Sequence, residues 1–65
     1  MDNHAVAERL VRLRGSRTQK EVAASLGISV SALSMYECGR RIPKDDIKLA
    51  LSQYYRTPIA KLFYS

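Results

Sequence analysis

The stretch TQKEVAASLGISVSALSMYECG, residues 18–39, contains the signals for two short helices joined by a tight turn. Thr18 followed three residues later by Glu21 is a capping box: the threonine hydroxyl accepts from the glutamate backbone N–H, and the glutamate side chain reaches back. Gly27 is a typical helix stop, and Ser29 is a good N-cap for the helix that follows. The stretch therefore predicts two consecutive helices with a glycine turn between them.

Upstream of this stretch, the apolar spacing predicts a first helix over about residues 3–14. Val6, Leu10 and Leu13 recur at i, i+4 and i+7, which places them on one stripe of an α-helix. Gly15 follows directly, and we expect it to provide a left-handed exit from this helix.

Downstream, two more helices are predicted. Asp45 and Asp46 suit a helix N-terminus, where acidic side chains complement the helix dipole. The inward residues of this fourth helix are Ile47, Ala50, Leu51 and Tyr54. Thr57 is expected to cap a short fifth helix, with Pro58 at its first position. No segment alternates with period two over a useful length, so the predicted fold class is all-α with five helices.

Length and composition exclude several classes of protein. A chain of 65 residues allows one domain, spanning residues 1–65. The single Cys38 cannot form a disulfide within the chain, and Cys38 with His4 falls short of a four-ligand zinc site. The chain has no glycine-rich phosphate loop and no carboxylate cluster. We therefore expect no enzyme activity, no metal and no cofactor.

The charge balance indicates a polyanionic partner. Eleven Lys and Arg against six Asp and Glu give a net charge of +5, which favours nucleic acid first and an acidic membrane surface second. The positive charge is dispersed over several elements and not concentrated on one membrane-surface helix. An acidic membrane is therefore the less favoured of these two partners. No apolar run exceeds three residues, which excludes a transmembrane segment. The N-terminus has no apolar signal region, so we expect a cytoplasmic protein.

The order of these motifs resembles the Cro/phage-repressor helix-turn-helix family, also called the Xre family. The matching segments are Thr18-Gln19-Lys20-Glu21-Val22-Ala23, Gly27-Ile28-Ser29, Leu33-Ser34 and Tyr36-Glu37-Cys38-Gly39, with Pro43 at the expected place. The resemblance covers about residues 5–63. It implies a compact five-helix, lambda-repressor-like domain with the helix-turn-helix at about residues 18–38. It also implies sequence-specific binding of double-stranded DNA.

Two departures from the family pattern refine this expectation. The connector Gly15-Ser16-Arg17 is shorter than in most members and resembles that of prophage repressors. The resemblance therefore favours a transcriptional repressor from a prophage or another mobile element. Val30 and Met35 stand where polar, base-reading residues are common, which bears on sequence preference and not on fold.

The resemblance assigns two sets of residues to DNA. The base-reading candidates lie on the outer face of the second helix of the motif: Val30, Ser31, Ser34 and Met35. The phosphate-binding candidates surround it: Arg17, Thr18, Gln19, Arg40, Arg41 and Lys44. At a helix N-terminus, Gln19 can hydrogen-bond a phosphate with help from the dipole. Alternatively, these candidates are ordinary solvated surface residues with no contact to DNA. For Val30, a further alternative is that its side chain packs back against the preceding helix.

Two other residues have structural interpretations. By resemblance, Arg14 of the first helix pairs with Glu37 at the end of the third, which ties the recognition helix to helix one. Cys38 is expected to be an inert residue at a helix end, with a redox role as the alternative.

The C-terminal segment is rich in aromatic and apolar residues, and two interpretations remain open. Either these residues form a symmetric homodimer interface, or they close the single core of the monomer. The candidates for the interface are Tyr55, Ile59, Leu62, Phe63 and Tyr64. Because operators read by this family are usually two half-sites, we favour a homodimer on a palindromic operator.

A second function class is a protein-interaction module, such as an antitoxin or an anti-repressor partner, which presents the C-terminal aromatic surface. Gln19 and the basic residues Arg40 and Arg41 favour DNA over interaction alone. Both roles can coexist in one chain, so a regulatory protein partner is also considered.

Overall fold

The computed structural model describes residues 2–64 and contains five helices in this range, with no strand among the described residues. The helices are α1 (Asn3–Arg14), α2 (Gln19–Leu26), α3 (Val30–Glu37), α4 (Asp45–Tyr55) and α5 (Ile59–Phe63). The predicted all-α, five-helix architecture is confirmed.

Side-chain caps begin the first three helices. The Asp2 carboxylate accepts from the backbone N–H of His4 at 3.0 Å and starts α1. Thr18 Oγ1 accepts from the N–H of Glu21 at 3.0 Å, which is one half of the predicted capping box. Ser29 Oγ caps α3 with the same three-residue spacing, also at 3.0 Å. These short polar side chains satisfy N–H groups that lack a partner within the first turn.

Left-handed residues end α2 and α3. Gly27 has φ 69° and ψ 31°, and the following N–H of Ile28 donates to the Ala23 carbonyl at 3.0 Å. Gly39 has φ 75° after α3, and a Cβ there would lie 3.3 Å from the backbone oxygen of Asn3. The second glycine therefore serves both the helix end and the close approach of α1 to the turn after α3.

Two predicted helix ends differ in detail. Gly15 has the expected positive φ of 58°, but its ψ of −127° lies outside the left-handed helical region. Pro58 is the N-cap of α5 and not its first helical residue, because its ψ of 141° is extended while its carbonyl accepts from Lys61 and Leu62. Thr57 caps nothing in α5, and its Oγ1 donates back to the Tyr55 carbonyl at 3.1 Å.

One core joins all the helices. Its buried residues are Val6, Leu10, Val22, Ala23, Leu33, Tyr36, Leu51, Leu62 and Phe63. Helix α3 packs against α1 and α2, and α5 packs against α1 and α4. The recognition helix of the motif is thus supported from behind by the first helix and from the side by the second.

The C-terminal segment corrects part of the dimer prediction. Leu62 and Phe63 are each only 1% exposed, because α5 folds back on α1 and α4 and uses them to complete the core. These two side chains therefore cannot form a surface for a second copy. Tyr64 is 59% exposed, and its hydroxyl accepts from the buried Lys48 Nζ at 2.8 Å. Ile59 is half-buried against the core.

Candidate nucleic-acid interface

The outer face of α3 is a small surface of methyl, thioether and hydroxyl groups. Leu33 and Tyr36 point into the core at 0% and 7% exposure. The predicted base-reading residues occupy the outward part of the helix: Val30, Ser31, Ser34 and Met35. Val30 and Met35 are 43% and 41% exposed, so the only large apolar side chains of this face meet solvent.

This face can contact base edges without any charged group. Within residues 2–64, the hydroxyls of Ser31 and Ser34 have no hydrogen-bond partner in the protein, so both can donate to or accept from a ligand. Val30 and Met35 offer apolar contacts of the kind that the thymine methyl group accepts. None of these four side chains can make a bidentate contact of the kind that arginine makes to guanine.

The phosphate candidates fall into two groups. The side chains of Arg40, Arg41 and Lys44 are exposed in the loop between α3 and α4. At the start of α2, the Thr18 hydroxyl is already used as a cap, but the backbone N–H groups of the first turn have no acceptor within the helix. Such N–H groups, with the positive end of the dipole, form an anion-binding position.

Arg17 lies against two aromatic rings beside the start of α2. Its guanidinium carbon is 5.3 Å from the centre of the Tyr54 ring and 5.9 Å from that of Tyr55. The two rings themselves meet edge to face at 5.0 Å. Contact with ring faces restricts the arginine to this edge of the domain while the residue stays exposed.

A buried carboxylate joins α1, α2 and α3 beneath this surface. Arg14 Nε donates to Glu37 Oε2 at 2.9 Å and to Oε1 at 3.2 Å. Gln19 Nε2 donates to Glu37 Oε1 at 2.8 Å, and Arg14 Nη1 donates to the Arg17 carbonyl at 2.7 Å. The Glu37 side chain is 3% exposed, and its hydrogen bond raises the pKa of Arg14 above the ordinary value.

The bond between Gln19 and Glu37 was not part of the sequence prediction. Gln19 lies 18 residues before Glu37, and no local pattern connects the two positions. The bond uses one of the two Nε2 hydrogens of Gln19, so a phosphate contact by this residue would use the other Nε2 hydrogen or the backbone N–H. We call the three residues Arg14, Gln19 and Glu37 the carboxylate network.

The Tyr55 hydroxyl is buried, although the residue as a whole is only half-buried. Within the described residues its hydroxyl is buried without a hydrogen-bond partner. Burial, followed by the negative charge of Glu37, raises the pKa of Tyr55 to about 12. Tyr55 was predicted to lie in a dimer interface, and the chain itself covers its hydroxyl.

Other site chemistries find no support in the part of the chain that the structure describes. Residues 2–64 contain no cluster of three His, Cys, Asp or Glu side chains that could hold a metal ion. None of their helices has the length and apolar character needed to cross a membrane. Cys38 is an exposed free thiol at the end of α3.

Comparison with known proteins identifies the family. A family model described as helix-turn-helix matches residues 9–62, from the middle of α1 to the end of α5. The match includes α2, the Gly27 turn, α3 and the basic loop. Searches of curated proteins and of solved structures gave no match. The chain belongs to the Cro/phage-repressor (Xre) type of helix-turn-helix family, and it is a DNA-binding transcription regulator.

Proposed function

We propose that the protein is a sequence-specific repressor that inserts the N-terminal half of α3 into the major groove of an operator. The observation that supports this most is the outer face of α3. Val30 and Met35 stay exposed on a helix whose inner face is locked into the core. A helix of this kind fits the major groove, where Val30, Ser31, Ser34 and Met35 would touch base edges.

Phosphate contacts would supply most of the affinity. Arg40, Arg41 and Lys44 extend from the loop after α3, and Arg17, Thr18 and Gln19 surround the start of α2. The two groups precede α2 and follow α3 in the chain, and the bond between Gln19 and Glu37 brings these two helix ends together. Both groups would therefore contact the phosphate backbone beside the groove. Such contacts fix the register of the protein on the duplex and carry no sequence information.

We further propose a homodimer on a palindromic operator. With Leu62 and Phe63 in the monomer core, the remaining candidates for the interface are the exposed Tyr64 and the half-buried Tyr55 and Ile59. Two recognition helices related by a two-fold axis would lie about 34–36 Å apart on one face of DNA. The dimer bound to its operator would block polymerase, and it would act in the cytoplasm. The short Gly15-Ser16-Arg17 connector supports a prophage or mobile-element origin.

Selection of binding sites from random duplex DNA tests this proposal. We expect an inverted repeat with half-sites one helical turn apart. The double variant Arg40→Ala/Arg41→Ala should weaken binding to every duplex about equally. It should also reduce the slope of log K against log salt by up to about 0.9 per lost phosphate contact.

A matched control is Arg12→Ala/Arg56→Ala, which removes two arginines outside the helix-turn-helix. Its salt slope should stay near that of the parent. Recovery of no common sequence, with all variants folded by circular dichroism, would contradict sequence-specific binding.

A further inference from the structure

A cationic cleft lies between α1, the α4–α5 turn and α5. Its volume is about 410 Å³. Its cationic wall consists of Arg9, Arg12, Arg56 and Lys61, and Leu13 and Pro58 add apolar surface. We call this the rear cleft.

The charge of the rear cleft is one-sided. It collects four of the eleven basic residues of the chain, of which Arg9 already donates to the Leu62 carbonyl at 2.9 Å, and none of the lining residues within 2–64 is Asp or Glu. Glu8, one turn before Arg12 on α1, is paired with His4 Nε2 at 3.0 Å. Within residues 2–64, the guanidinium groups of Arg12 and Arg56 make no hydrogen bond or ion pair. An anionic ligand can therefore pair with Arg12 from α1 and with Arg56 from the α4–α5 turn.

The rear cleft lies on the other side of α1 from the recognition helix. Ala7 meets the turn after α3 at Gly39, and Arg14 bonds Glu37 at the end of α3. At 100° per residue, Arg9 and Arg12 lie roughly 140–200° around the helix axis from Ala7. A duplex held against α3 is thus separated from the cleft by α1 itself.

The backbone of Arg56 is a second, independent observation. Arg56 has φ 52° and ψ 43°, and it is the one non-glycine residue with positive φ among those described. It ends α4 in the conformation that glycine takes at the ends of α2 and α3. A non-glycine residue is uncommon in this region, and the turn nevertheless has an arginine here, which lines the cleft.

We propose that the rear cleft binds an acidic segment of a partner protein. Carboxylates of the segment would pair with Arg12 and Arg56, and an apolar side chain between them would rest on Leu13 and Pro58. A DNA backbone matches the charge, but only a polypeptide can also place a projecting apolar side chain on Leu13 and Pro58, so the mixed lining favours a polypeptide. This interaction goes beyond DNA binding and does not depend on it.

A labelled peptide tests the proposal. The probe is a fluorescein-labelled peptide with glutamates on both sides of a leucine, and its control has glutamines in their place. Fluorescence anisotropy with the full chain at low salt should show saturable binding of the glutamate peptide only. Equal binding of both peptides, or no binding of the glutamate peptide up to millimolar protein, would overturn the proposal.

Variants locate the binding. Arg56→Gly removes the charge and gives this turn the residue that its φ favours, so the fold should be retained, which circular dichroism checks. Combined with Arg12→Gln, it should weaken peptide binding at least tenfold, while Arg56→Lys should retain it. The front variant Arg40→Ala/Arg41→Ala should bind peptide normally and DNA weakly.

The reverse pattern contradicts the proposal. If Arg12→Gln/Arg56→Gly weakens duplex binding as much as Arg40→Ala/Arg41→Ala does and leaves peptide binding unchanged, the rear cleft is a DNA contact. If the front and rear variants weaken peptide binding equally, the peptide senses net charge alone. Either result is measured separately from site selection, so it leaves the proposed operator binding unaffected.

Discussion

On its inner face, α3 packs Leu33 and Tyr36 into the core and holds Glu37 in the carboxylate network. On its outer face, Val30 and Met35 remain exposed, and the hydroxyls of Ser31 and Ser34 are unused within the described chain. One eight-residue helix thus divides into a face that determines where it sits and a face that is free to meet a ligand. Substitutions on the two faces should therefore affect different measurements.

The largest effect on stability is expected from Leu33→Ala. The Leu33 side chain is fully buried, so truncation leaves a cavity under α3 and should cost about 2–5 kcal/mol. In a domain of this size, that loss approaches the whole stability. Chemical denaturation measures it, and a variant that melts within a few degrees of the parent would contradict the inward placement of Leu33.

The next effect concerns the carboxylate network. Arg14→Ala leaves the buried Glu37 carboxylate with Gln19 as its remaining partner and should cost about 2 kcal/mol. Arg12→Ala, on the exposed side of the same helix, is the matched control and should cost less than about 0.5 kcal/mol. Equal denaturation midpoints for the two variants would show that the network adds nothing to stability.

Tyr55→Phe should change stability by a smaller amount and in the opposite direction. It removes a buried hydroxyl that has no partner among the described residues, so we expect a gain of about 1 kcal/mol. The native pKa of about 12 lies above the ordinary value of 10.0, so the neutral form favours folding. That contribution is present below pH 10 and is lost as pH rises through 12.

The pH dependence separates this prediction from a simple packing effect. The parent should lose stability between pH 10 and pH 12, and Tyr55→Phe should lose less over the same range. The control is Tyr54→Phe, which removes the hydroxyl of the neighbouring ring. Identical pH profiles for the parent and Tyr55→Phe would contradict a buried hydroxyl at this position.

The helices and their ends were largely predictable because their causes are local. Thr18 and Ser29 cap helices with their own hydroxyls, and Gly27 and Gly39 end them by their backbone conformation. Val30 and Met35 were assigned to the outer face of α3 from the sequence, and both are exposed there. These features depend on residues within a few positions of one another.

The packing of the C-terminal segment was harder to predict from the sequence, because the residues that it contacts are distant along the chain. An apolar stripe on α5 shows which face is covered but not whether the same chain or a second copy covers it. The structure uses Leu62 and Phe63 within the monomer, so this part of the dimer prediction was wrong. The bond between Gln19 and Glu37 and the inward Tyr55 hydroxyl likewise arise from packing between helices that no local motif encodes.

The smallest effect on stability is expected from Met35→Ala on the outer face of α3. Met35 is 41% exposed, so its truncation should leave the denaturation midpoint nearly unchanged. Its effect should be on sequence preference. We expect a loss of roughly 1 kcal/mol of discrimination at one position in each half-site, because one to two methylene-sized contacts are removed.

The most direct test of base reading by α3 is a comparison of thymine with uracil in the selected operator. Each thymine is replaced in turn, and binding of the parent and of Met35→Ala is measured at one stated salt concentration. The parent should lose affinity when one particular thymine methyl group is removed, and Met35→Ala should be insensitive to the same replacement. If every replacement affects the two proteins equally, Met35 does not read the bases and the outer face of α3 has another role.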